Sequence, residues 1–244
     1  MDSRVVFYSL IKVMVIIVVV AWVGSNSSGA FAQKAPATGS GAAQVTKTLP
    51  KDVYAESGFR LPLPKRDDLD EYGKKVFDKM AGRGERSLRG LRGPTGIRMY
   101  SPKLAELSNA LSQYLRFDAG FSGRIRELAI LVTAREMDNQ FEWAAHEPEA
   151  LKQGLPKEIV EIVKYRKGVE GLPETDAVII QFGRQMFGQR KVNSKTFAAA
   201  LKIFGPKQLV DLVSLMTNYS STAALLDAFD MQLDPDQKPL LPVP

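Results

Sequence analysis

The sequence predicts an all-α domain, and three observations carry that prediction. Beyond residue 50 no run of alternating β-branched residues marks a strand. From Ser101 onward apolar residues recur at intervals of three and four, the period of a helix with one buried face. Ser, Asn and Pro stand at the starts of these stretches, with Gly154 at the end of one of them, as helix caps require.

The elements follow in order. Arg4 and Lys12 precede the apolar run "VMVIIVVVAWV" (13–23), then polar "GSNSSG" and the triplet Ala30-Phe31-Ala32. This is the order of a secretory signal peptide over 1–32, cut before Gln33, which predicts a periplasmic or secreted protein with no stable membrane association after cleavage. The apolar run is short for a membrane span, which needs about 20 residues. Residues 33–65 are rich in Pro, Ala and Gly and read as a flexible linker. A helical domain is expected over 66–232, with a C-terminal tail over 233–244.

Within that domain a first helix is expected at 67–81. Residues 82–100, where Gly and Arg recur without periodicity, read as a loop. Ser101 and Pro102 open a helix to 116, and Ser122 can cap the next over 123–137. The centre of that helix, 128–132, is apolar on every side, as in a buried central helix. Asn139 opens a further helix that Gly154 closes, and others follow at 156–166, 173–188, 194–204 and 206–231.

Composition removes several chemistries. The 244 residues include no cysteine and one histidine, His146. Thiolate nucleophiles, disulfides, cysteine metal sites and any site needing two imidazoles are therefore excluded, and no ordinary transition-metal site is expected. The net charge of +6 is modest and spread along the chain, which favours a small anionic substrate over nucleic acid.

His146 is the natural focus. Glu142 precedes it by four residues, so the two share a helix face. Glu142 also stands three residues after Asn139, the spacing of a capping box, in which the acid would only reach back to the helix start. A second acid, Glu127, heads the apolar run 128–132, where a carboxylate is costly unless paired or protonated. Arg124, Arg126 and Arg135 could neutralise it at the helix surface. If the turn at 137–139 folds the two helices together, Glu127 instead meets Glu142 and His146, giving two acids and an imidazole suited to proton transfer.

The stretch "RELAILVTAREMDNQFEWAAHEPEALKQGLPKEIVEIV" resembles the carboxymuconolactone decarboxylase family, which shares its all-α fold with alkylhydroperoxidase D. The resemblance spans approximately residues 90–230 and includes "GPTGIRMYSPKLAELSNALSQYLRF". In the peroxidase branch a Cys-x-x-Cys-x-x-x-His motif follows a glutamate. Glu127 and His146 match that glutamate and histidine, while Asn139 and Glu142 occupy the cysteine positions. Thiol peroxidase chemistry is thus closed to this chain.

The decarboxylase branch, which is cofactor-free and works by general acid–base chemistry, is what the resemblance implies. Its expectations are Glu127, Glu142 and His146 as catalytic residues and a small carboxylated lactone or related acid as substrate. Arg98, Arg124 and Arg135 are candidates to hold the anion, and the assembly would be a homo-oligomer, a trimer or a hexamer. The competing expectation is a non-catalytic helical oligomer that binds a small molecule or a partner. Convergence of Glu127, Glu142 and His146 on one cavity separates the two.

Overall fold

A computed structural model describes residues 49–81 and 90–243. The signal peptide and residues 33–48 of the linker expected from the sequence lie outside these residues. The described chain is helical with no strand: α1 (Glu71–Ala81), α2 (Pro94–Met99), α3 (Pro102–Gln113), α4 (Gly123–Glu136), α5 (Gln140–Lys152), α6 (Lys157–Lys164), α7 (Glu174–Gly183) and α8 (Ser194–Ala228). None of the described helices is long and apolar enough to cross a membrane.

The central helix is α4. Ser122 caps it by accepting a hydrogen bond from the Ile125 N–H, and α5, α7 and α8 pack around it. Leu128, Ala129, Ile130 and Leu131 are fully buried. Each burial of a leucine or isoleucine side chain is worth about 1.5–3 kcal/mol, so this all-round apolar turn anchors the domain. Against it α7 comes very close, because a Cβ on Gly183 would sit 2.4 Å from Val132 Cγ1.

A tight turn returns the chain from α4 to α5. Asp138 takes a left-handed φ of 49°, and the Asn139 N–H bonds back to the Ala134 carbonyl at 2.9 Å. The Asn139 side chain then accepts from the Glu142 N–H at 2.9 Å and starts α5. Gly154, with φ 82°, follows the end of that helix.

Several elements differ from the sequence expectation. Residues 94–99, assigned to a loop, form α2, started by Pro94, whose missing N–H costs nothing in a first turn. The helices expected to reach 116 and 188 each finish in a π-helical turn, Tyr114–Asp118 and Arg184–Gly188, with the Ala119 N–H reaching the Tyr114 carbonyl at 2.9 Å. By contrast, α8 agrees with the expectation of helices at 194–204 and 206–231, because its backbone leaves helical geometry at Gly205 (φ 68°, ψ 171°), just before Pro206.

Both flanks of the helical domain also pack where composition suggested a linker and a tail. Phe59 is fully buried with Ile97, Phe141 and Leu226, and backbone bonds join Arg60 to Phe229 and Gln232 to Gly58. At the other flank, Leu241 is 3% exposed, and the Gln140 side chain bonds the Leu240 N–H and both backbone groups of Leu241. Proline-punctuated composition records extended backbone, and it does not register one apolar side chain that finds a core.

Candidate active site

Glu127 and His146 meet because the turn at Asp138 lays α5 back along α4. His146 Nδ1 is 2.7 Å from Glu127 Oε2, and Arg126 Nε donates to the other oxygen, Oε1, at 2.9 Å. Glu127 is 0% exposed and His146 3%. Burial pushes the Glu127 carboxyl up, but the hydrogen bonds and charges of His146 and Arg126 outweigh it and hold this acid below the ordinary glutamate range. An ionised carboxylate facing Nδ1 assigns the proton to Nδ1 and leaves Nε2 for chemistry.

On the Nε2 side lies Glu142, its Oε2 3.5 Å away. Glu142 does not complete a capping box, since the Asn139 N–H is already bonded to Ala134. Its carboxyl is therefore free to face the imidazole. Burial pushes it above the ordinary range, against the opposing pull of His146, Arg98 and Arg116. The outcome is two acids with opposite tendencies on either side of one imidazole: Glu127 is biased toward the charged form and Glu142 toward the protonated one.

Glu142 and His146 open onto a cavity of about 120 Å³. Arg98 from α2, Ser112 from α3, Arg116 from the first π-helical turn, and Tyr219 and Thr222 from α8 also line it. The size is close to that of a cavity known to take benzene, so a ring of five or six atoms fits. Arg98 donates to Thr222 Oγ1 at 2.7 Å, and burial lowers its pKa while Glu142 opposes that shift. Arg116 Nε is buried without a hydrogen-bond partner. Tyr219 sets its ring edge-on to His146, with centroids 5.1 Å apart at 86°.

Of the residues singled out from the sequence, Glu127, Glu142, His146 and Arg98 come together. Glu127 stands behind the imidazole and not in the cavity wall. Arg124 and Arg135 are elsewhere: Arg124 makes two 2.7 Å bonds to buried Asp176, and Arg135 pairs with Asp138. Trp143 is fully buried and donates to Glu147, away from the cavity lining.

Arg116, Arg126 and Tyr219 were not singled out as site residues. Arg126 touches Glu127 as a neutralising cation would, yet it does so in the interior, at 8% exposure. The available signal for Tyr219 was the polar set Asn218, Tyr219 and Thr222, which interrupts an otherwise apolar helix face.

The arrangement can move one proton between a buried acid, an imidazole and a ligand beside two arginines. Among the described residues no group of three His, Asp or Glu side chains is arranged to hold a metal ion. Against known proteins, no family model and no curated sequence matches this chain.

Proposed function

We propose that the protein is a cofactor-independent lyase of the carboxymuconolactone decarboxylase type, with the alkylhydroperoxidase D-like fold, acting by general acid–base chemistry on a small carboxylated lactone or related acid. The observation that carries this reading is the line Arg126–Glu127–His146–Glu142, buried along its length and ending at a ring-sized cavity with arginines in its wall. Loss of CO₂ or of a proton next to a carbonyl leaves an electron pair that moves to oxygen as an enolate. His146 Nε2, protonated from Glu142, delivers the proton to carbon. Glu127 stabilises the imidazolium by charge and fixes its ring. Arg98 and Arg116 attract the anion.

Self-association of this chain belongs to the same proposal. Leu104, Leu107 and Leu111 are 50%, 56% and 47% exposed along one face of α3, as an interface between copies would require.

The test is a panel of small carboxylated lactones and oxo acids incubated in D₂O, followed by NMR for CO₂ loss and for deuterium entering next to the carbonyl. At least one should react, and His146→Gln should slow it about 10²–10⁴-fold. A reaction that His146→Gln leaves at full rate would sink the mechanism.

A further inference from the structure

We propose that Tyr219 is a further catalytic residue, whose hydroxyl donates a hydrogen bond to the ligand oxygen that gathers negative charge. The inference rests on the acid–base reading of the cavity and adds the component that reading lacks. Glu127, Glu142 and His146 account for the proton, and Arg98 and Arg116 account for a resident anion. Glu142 is committed to resupplying the imidazole, which leaves a second neutral donor to be found for the ligand oxygen.

Tyr219 has that position. It is 8% exposed, its ring lies edge-on to His146, and it lines the cavity. Its hydroxyl makes no hydrogen bond with any described residue, whereas its neighbours on α8 are engaged: Asn218 Nδ2 bonds Ser112 Oγ at 3.1 Å, and Thr222 bonds Arg98. A phenol in the cavity lining, beside the imidazole and with its hydroxyl uncommitted among the described residues, is placed to donate to a ligand oxygen.

The ionisation behaviour agrees. Burial, with the nearby acids Glu142 and Glu127, raises the Tyr219 pKa well above that of a free phenol, against the pull of Arg116 and Arg126. The hydroxyl therefore keeps its proton and acts as a donor, leaving proton transfer to His146.

The step balances. The C–CO₂ bond breaks and its electron pair forms the C=C bond of an enolate, with the carbonyl π pair moving to oxygen. Tyr219 O–H bonds that oxygen without losing its proton. His146 Nε2–H then protonates carbon, the carbonyl re-forms, and the neutral imidazole regains a proton through Glu142 from water.

The experiment uses the full chain and two readouts. Tyr219→Phe keeps the ring and its contact with His146 and removes only the hydroxyl. With a substrate from the panel above, turnover should fall about 10²–10³-fold. Independently of turnover, 4-nitrophenol titrated against the protein should bind as the coloured phenolate, and about tenfold or more weakly in Tyr219→Phe, since a charge-assisted bond is lost. The variant should melt no lower than the wild type, because the hydroxyl has no internal partner to lose.

Equal phenolate affinity in the two proteins, uptake of the neutral phenol alone, no binding to the wild type, or a lowered melting temperature would each overturn the assignment. Unchanged turnover in Tyr219→Phe, with His146→Gln still inactive, would remove Tyr219 and leave the acid–base reading standing. Tyr219-dependent phenolate binding by a chain that turns nothing over would do the reverse: the oxyanion site would stand and the enzyme reading would fall.

Discussion

Replacing Glu127 by Gln alters one atom type at the centre of the buried line, and the geometry fixes what must follow. Oε1 accepts from Arg126 Nε and Oε2 faces His146 Nδ1, so the carboxylate accepts on both sides. An amide can accept on only one. With its oxygen toward Arg126, its NH₂ meets Nδ1 and drives the imidazole proton to Nε2. With its oxygen toward His146, the NH₂ opposes an arginine N–H, and two donors face each other.

Either way a cation only 8% exposed loses its counter-charge, a loss of about 3–5 kcal/mol for a buried pair. At about 2–4 °C per kcal/mol for a domain of this size, the melting temperature should fall by roughly 10 °C. The decisive assay is ¹⁵N NMR of the imidazole, which the single histidine makes free of assignment ambiguity. The wild type at a pH where the ring is neutral should show the Nδ1–H tautomer, and Glu127→Gln the Nε2–H tautomer or a mixture. A wild-type ring protonated on Nε2, or identical spectra in both proteins, would refute the role given to Glu127.

Glu142 has the opposite pH signature. Because burial raises its pKa, its stabilising contribution is whole below the ordinary glutamate value and declines as pH rises from there through the raised value. Glu142→Gln should flatten that decline in urea titrations at several pH values, and it should leave helix capping intact, since the carboxylate caps nothing. Arg124→Ala should chiefly cost stability by stranding Asp176, which is 1% exposed, whereas Arg98→Ala should chiefly raise KM; the reverse pattern would exchange their roles. At Gly205 the φ and ψ of 68° and 171° lie in a region essentially closed to other residues, so Gly205→Ala should cost about 1–3 kcal/mol by chemical denaturation while His146 NMR signals stay unchanged.

The core of this arrangement was legible because it violates an apolar pattern. Glu127 beside 128–132 and His146 four residues beyond Glu142 are visible as charge where charge is expensive. The all-round burial of α4 that exposed Glu127 also hid which arginine would serve it. Successive helix residues turn by about 100°, so Arg124 and Arg126 face roughly opposite ways, and a helix without a polar face offers no sign of which one turns inward. Arg116 was illegible, and Tyr219 visible only as part of a polar set, for another reason. Their approach to His146 depends on a π-helical turn that shifts register and on the packing of α8, and local periodicity encodes neither.

The hold of Gln140 on residues 240 and 241 bears on the order in which the chain can be completed during synthesis. Gln140 is the first residue of the helix that carries Glu142 and His146, and its side chain is satisfied by backbone that leaves the ribosome about a hundred residues later. At about 5–20 residues per second that interval lasts on the order of 5–20 s. Through it, α4 and α5 can form their turn and bring Glu127 to His146, but the start of α5 lacks its last tether and Leu241 has not entered the core. Residues 240 and 241 can therefore close on the start of α5 only once the rest of the helical domain has been made, as a late clasp on the helix that carries His146.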